Sequence, residues 1–347
     1  MAVSTELINT TLADLKGPLE DNFTRYNELM EKLFSKKQVK FAGGTYIERP
    51  FIKGATGRAK AIRSGSELLN RVRTKQTEKL QVQPGRFVHT LHIPNIELAQ
   101  NTGPAAAVSL LKEYPVNDLE ALQRDMNKYF LTGSSEDLAI SSADMYSFLT
   151  LNGQFSSGVG TGVTNGILDF AAPSAQTDTV EGVAKSEAGY HYNQYGAITN
   201  WATNGVRTWK KVLRTCAKHG KHKDAKSYVI FTDDVTFGNY EDSRSNAIRV
   251  RLVSDATETD ATFELSLMGA MVCHSLDLDP SLFTGDAANG VTYMVDTDYC
   301  EFQVVEALKL SDFKESEDQD VVYAKAPFHG NWIFTRLPAH GCVAGGN

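Results

Sequence analysis

The chain has 347 residues, of which 41% are hydrophobic and 22% charged, with a formal charge of −7. That composition excludes a disordered or collagen-like chain, and the length suits one large domain or two ordinary ones. No apolar run reaches the ~20 residues of a membrane-spanning helix, and the acidic balance argues against non-specific nucleic-acid coating as the main role.

The N-terminal MAVSTELINTTLADLKG lacks the basic start and apolar core of a secretory signal, so a protein made and assembled in the cytosol is expected. Leu12, Leu15, Leu19, Phe23, Tyr26, Met30 and Leu33 fall in steps of three and four. That spacing predicts a helix running to about Lys40, with a break or a start at Gly17-Pro18. Lys32, Lys36 and Lys37 sit at its C-terminal end, where the helix dipole favours cations. Little core-like sequence surrounds it. It packs either on its own domain or, as an arm, on a neighbour.

Residues 49–86 hold ten Lys or Arg and two acids, Glu67 and Glu78. The strand-like TYIERPFI and RFVHTLHI bracket this stretch, and Gly54, Gly57, Gly65 and Pro84-Gly85 punctuate it. The expectation is an extended hairpin-like loop, which needs a partner surface because it buries little of its own. Between Phe51 and Phe87 it has no aromatic residue, a poor composition for stacking single-stranded bases. Acidic surfaces of other copies suit it better than phosphates do. A solvated loop is the plain alternative.

PAAAVSLLKEYPVNDLEALQRDMNKYFL predicts a helix over 104–131, kinked or split at Pro115, with Leu119, Leu122, Met126 and Phe130 inward. Residues 152–189 read as loops and turns. NGVRTWKKVLRTCAKHG predicts a helix with Val206, Trp209, Val212, Leu213 and Cys216 inward, stopped at Gly220. SYVIFT predicts a short buried strand. FELSLMGAMVCHS, GVTYMVDTDYCEFQVV, VVYAKAPF and NWIFTRLPAHG have β-like composition, and the acidic SDFKESEDQD between them reads as a solvated linker. The class is α+β.

Few residues point to chemistry. SGVGTGVTNG lacks a clean GxGxxG and a following long helix. His219 and His222 with Asp224 suggest a metal only weakly, since Lys218, Lys221 and Lys223 repel a cation; a solvated turn is the expectation. Asp233-Asp234 after SYVIFT reads as a metal-binding pair or, equally, as a turn capped by Asp. His191, in YHYNQYG, suits a packed, hydrogen-bonded surface. Cys216, Cys273, Cys300 and Cys342 form no CxxC pair and read as free thiols. No metal or cofactor is expected.

The order of elements, with FAGGTYIERPF, FLTG, YHYNQYG and the terminal RLPAHG, resembles the major capsid proteins of tailed phages, which share the Hong Kong 97-type fold. The resemblance spans nearly the whole chain. It implies an N-terminal arm over 1–45, an extended E-loop over 46–95 and a peripheral P-domain with a long spine helix over 96–194. An axial A-domain over 195–300 and C-terminal strands over 301–347 returning to the P-domain follow. It also implies pentamers and hexamers of one chain forming an icosahedral head around double-stranded DNA, without sequence-specific binding and without a membrane. Separate scaffolding, portal and decoration proteins are implied partners. The place of action is the virion, after assembly in the host cytoplasm. Arg49, Lys53, Arg58, Lys60, Arg63, Arg71 and Arg73 become the expected inter-subunit contacts, the loop acting as a strap. The rival readings are an encapsulin-like compartment, a metal-dependent enzyme using Asp233, Asp234 and His191, and a DNA-binding protein using 49–86.

Overall fold

The structure, a computed structural model, describes residues 29, 38–41, 43–52, 77–100, 110–133, 150–152, 166–176, 179–185, 191–245, 265–283, 285–306, 311–316 and 318–345. Within them the chain forms β1 (Gln38–Lys40), β2 (Ile47–Ile52), β3 (Thr77–Val82), β4 (Gly85–Pro94), α1 (Asn95–Gln100) and α2 (Leu110–Thr132). There follow β5 (Thr150–Asn152), β6 (Gly166–Leu168), β7 (Thr179–Val180), β8 (Val183–Ala184), β9 (Gln194–Ala197), α3 (Val206–His219), β10 (Tyr228–Thr232) and α4 (Asp234–Ser245). The last third holds β11 (Leu265–Leu267), β12 (Ala270–His274), β13 (Val291–Asp296), β14 (Cys300–Glu306), β15 (Lys314–Glu315), β16 (Val321–Phe334) and β17 (Gly341–Ala344). The α+β class expected from the sequence is the class observed.

SYVIFT is a continuous apolar run because β10 is covered on both faces. It is central in a six-stranded sheet of order β11-β12-β10-β13-β17-β9. Tyr228 and Ile230 face a cluster with Trp209, Leu213 and Cys216 of α3 and Tyr240 of α4. Val229 and Phe231 face the opposite, larger cluster, with Tyr293 and Val295 of β13. Strand period two thus feeds two cores. α3 buries Trp209, Val212, Leu213 and Cys216, as its spacing predicts. It sits close to the sheet: a Cβ on Gly196 would lie 2.7 Å from Val212, and one on Gly341 would lie 2.8 Å from Cys216 Sγ. The sequence places the helix stop at Gly220. Gly220 is the last cap residue but keeps right-handed dihedrals, and Lys221 takes the left-handed turn at φ 60°.

The larger cluster joins this sheet to a second one. There β16 pairs antiparallel with β4 on one side and with β14 and β15 on the other, and β1 pairs parallel with β14. The sequence suggests separate strands in VVYAKAPF and NWIFTRLPAHG; they form one 14-residue strand, β16. Its Pro327 falls between the stretches paired with β15 and β14, so only β4 flanks it among the described residues. A missing N–H is tolerated there. The final strand, β17, joins the six-stranded sheet, pairing with β13 and β9.

α2 lies against this core with Leu122, Met126, Tyr129 and Phe130 buried, and Phe130 meets Phe302 and Trp332 edge to face. The helix runs unbroken through Pro115, against the expected split. It ends at Gly133, which takes φ 77° and donates its N–H to Tyr129 O. Of the N-terminal helix, Leu29 is described and is buried in the larger cluster. Leu12, Leu15, Leu19, Phe23, Tyr26, Met30 and Leu33 lie outside the described residues. The stretch 152–189, expected as loops, contains β6 and the tight β7–β8 hairpin, which is closed at Glu181-Gly182.

Candidate functional site

The basic stretch is rooted in a hairpin whose second strand differs from the one expected. β2 pairs with β3, in register Ile47↔Val82 to Ile52↔Thr77. RFVHTLHI forms β4, which leaves for the β16 sheet. Alternation decides what the hairpin holds. Ile47, Leu80 and Val82 point into the larger core with partly buried Phe51, while Glu48, Lys79 and Ile52 face outward. Ile52 is 74% exposed. Outside, Lys79 Nζ donates to Glu48 Oε1 at 2.8 Å, and Gln81 donates to the same oxygen. These bonds hold the Glu48 carboxyl below its ordinary range.

Arg49, one of the predicted contacts, lies on the inner face. Its Nη2 donates to Glu301 Oε2 of β14 at 2.9 Å, with 41% of its side chain exposed. Gln303 donates to the same oxygen at 3.1 Å. Lys53, Arg58, Lys60, Arg63, Arg71 and Arg73 lie outside the described residues.

The root is locked by polar groups that sequence reading missed. The β7–β8 turn inserts beside β3: Gln81 N–H donates to Glu181 O at 2.7 Å, and Phe334 N–H donates to Glu181 Oε1. Burial pushes the Glu181 carboxyl up to about 8. Deeper, the fully buried Lys185 ammonium lies 2.5 Å from Asp169 Oδ2 and donates to Ile167 O. Asn193 bonds both backbone groups of Asp169 and touches Cys342 Sγ, tying β6 to β9 and β17. His191 is buried beneath Phe51, at 5.6 Å between rings. Burial and then the Lys185 charge bring its imidazole down to about 4. The expected packed surface is an interior contact. Two-residue strands such as β7 and β8 are too short to show alternation, which is why this region reads as loop.

The residues weighed for an enzyme do not converge. Asp233 caps α4: its carboxylate accepts from Thr236 N–H at 3.0 Å and from Val291 N–H at 2.7 Å. Asp234 begins the helix and is exposed. His222 corrects the expected solvated turn. It is half-buried, with Nε2 2.7 Å from buried Asp296 Oδ2 and 3.9 Å from Asp298. His222, Asp296 and Asp298 bring ligand atoms within 4.8 Å of one another. Exposed Lys221 and Lys223 flank the group, and the His222–Asp296 pair closes the α3 turn. Cys216, Cys300 and Cys342 are buried free thiols and Cys273 is half-buried. No helix of the described residues is long and apolar enough to cross a membrane.

No protein-family model matches the chain, and no curated protein matches its sequence. Solved structures do. A chain of the Cyanophage A-1(L) capsid asymmetric unit matches with TM-score 0.61 and 14% identity, over 99% of both chains. The capsid of Myoviridae Phage XM1 matches with TM-score 0.58 and 10% identity, over 96% of this chain and 97% of that one. The bacteriophage PhiM1 mature capsid gives 0.56 and 10%, over 96% and 92%. The resemblance drawn from the sequence therefore holds for the fold: this chain has the α+β fold of tailed-phage capsid proteins.

Proposed function

We propose that the chain is the major capsid protein of a tailed double-stranded DNA phage, assembling through pentamers and hexamers into an icosahedral head. The observation that carries this reading is coverage: the likeness to a phage capsid chain spans 99% of both chains, from the β2–β3 hairpin to the closing strand β17. The chain acts by assembly, with no catalytic step and no cofactor.

In this reading the β2–β3 hairpin roots the E-loop, α2 is the spine helix of the P-domain, and the six-stranded sheet with α3 and α4 is the A-domain; of the C-terminal strands over 301–347, β14, β15 and β16 return to the P-domain, while β17 ends in the A-domain sheet. The loop lies across a neighbouring copy as a strap. Lys53, Arg58, Lys60, Arg63, Arg71 and Arg73 reach that copy's acidic surfaces. Arg49 belongs to the set because a guanidinium bonded once to Glu301 keeps further donors for a neighbour. The head encloses double-stranded DNA without sequence-specific contacts. Scaffolding, portal and decoration proteins are its partners, and the virion is its place.

Negative-stain electron microscopy of the expressed chain, alone and with its scaffolding partner, tests this. Closed shells, tubes or capsomer rings are expected; a uniform monomer under both conditions would overturn it.

A further inference from the structure

Two helices on one face of the six-stranded sheet carry opposite charge. From Val206 to Lys226 the chain holds eight Lys or Arg and one acid, Asp224. From Ser227 to Glu306 it holds 15 acids and three Arg. On α3, Arg207, Lys211, Arg214 and Lys218 stand at i, i+4, i+7 and i+11, and all four are exposed. Among the described residues none of them makes an ion pair. On α4, Asp234, Val235, Gly238, Glu241 and Asp242 share the outward face.

Gly238 supplies a second, independent observation. Glycine inside a helix is destabilising relative to alanine. Among the described residues a Cβ at 238 would meet nothing within 4 Å, so none of them requires the gap. Beside it Val235 is 55% exposed. An apolar side chain and a gap between acids suit close approach by another surface.

The placement gives that surface a direction. α3 packs on β9 and β17, toward one edge of the sheet, and α4 packs on β12, toward the other. A subunit with a basic edge and an acidic edge associates head to tail, the heterologous contact from which rings close. We propose that the basic face of α3 in one subunit docks on the acidic face of α4 in a second copy, seated at Gly238, and so closes the capsomer ring. This rests on the shell reading above. Nucleic-acid phosphate would also attract α3, but it would be repelled by the acidic remainder and would leave Gly238 and Val235 without a role.

The test uses the full chain in three charge variants, with circular dichroism to verify folding. One carries Arg207→Glu, Lys211→Glu and Arg214→Glu; one carries Asp234→Lys and Glu241→Lys; the third combines all five. Each of the first two is expected to lower the yield of rings and shells at least about tenfold, because like charges then meet. The combined variant is expected to regain most of that yield. Gly238→Ala is expected to raise the melting temperature of the unassembled subunit while lowering assembly. The proposal is overturned if either reversed variant assembles like the unaltered chain, or if the folded combined variant does not recover. It is equally overturned if α3 reversal spares the shells and abolishes only salt-dependent DNA retention. If the unaltered chain forms no oligomer, the shell reading itself has failed; if it assembles and the reversed forms do too, the interface alone has failed.

Discussion

Asp169 and Lys185 show how single residues hold the root of the hairpin. Both side chains are nearly or fully removed from water, and each is the other's counter-charge. Removing one partner leaves an unpaired buried charge, which costs about 3–5 kcal/mol. Asp169→Asn is therefore expected to lower the unfolding free energy of the subunit by about that amount, read from urea titration. A change below about 1 kcal/mol would contradict the pairing. Glu181 adds a pH dependence. Its folded carboxyl titrates at about 8, while an unfolded one titrates near 4.3. The folded chain thus holds more protons between those values, and stability falls as pH rises through them. His191 and His340, lowered by burial to about 4 and about 3, act with the opposite sign. The unfolded chain takes up their protons first, so stability falls as pH drops below about 6.5. Melting temperature is expected to peak near pH 6.5. Glu181→Gln still accepts from Phe334 N–H and should flatten the alkaline limb and steepen the acid limb between about 4.3 and 6.5, where Glu181 opposes the histidines. An unchanged alkaline limb would remove Glu181 as its cause.

At the scale of elements, regular patterns were legible and special geometry was not. The inward face of α3 and the buried strand β10 follow from spacing and apolarity. Gly220 is read as a helix stop because glycine tolerates left-handed dihedrals. Here it serves close approach instead, since a Cβ would lie 2.6 Å from the His222 ring and 3.0 Å from Asp296. Lys221 N–H donates to Lys218 O and His222 N–H to Ala217 O, so Lys221 bears the left-handed turn of a Schellman cap. That conformation costs an L-residue about 1–2 kcal/mol. Glycine avoids the cost but loses about 0.5–1 kcal/mol through its unfolded freedom. Lys221→Gly is thus expected to stabilise the subunit by up to about 1 kcal/mol in thermal unfolding. A destabilisation would mean that Lys221 makes contacts of greater worth. β16 was read as two pieces, VVYAKAPF and NWIFTRLPAHG, on either side of His329-Gly330. Gly330 instead accommodates β14, for a Cβ would lie 2.5 Å from Gln303 O, beside the register shift at Val304/Glu306. Long-range pairing of this kind leaves no local signature, and neither does the choice of β3 over β4 as the partner of β2.

At the scale of the whole molecule, the order of elements identified the fold, while the interior network of Asp169, Lys185, Asn193 and Cys342 was invisible because Cys342 lies about half the chain away from the other three. Charge is distributed at this scale too. The basic stretch beyond Ile52 and the basic face of α3 both stand out from an acidic chain, which provides complementary surfaces for copies of itself. Exposed pairs are weak singly, at about 0–1 kcal/mol, but a shell repeats each of them at every subunit. Replacing Arg58, Lys60, Arg63, Arg71 and Arg73 together by Gln should leave the subunit folded and lower shell yield at low salt, with the difference from the unaltered chain shrinking as salt screens the same contacts. The most direct measurement of the central claim is a cryo-electron microscopy reconstruction of whatever particle the chain forms. The account predicts rings of five and six subunits in a closed shell, with residues 53–76 lying across a neighbouring copy. A discrete monomer, or a particle in which that segment packs on its own subunit, would contradict it.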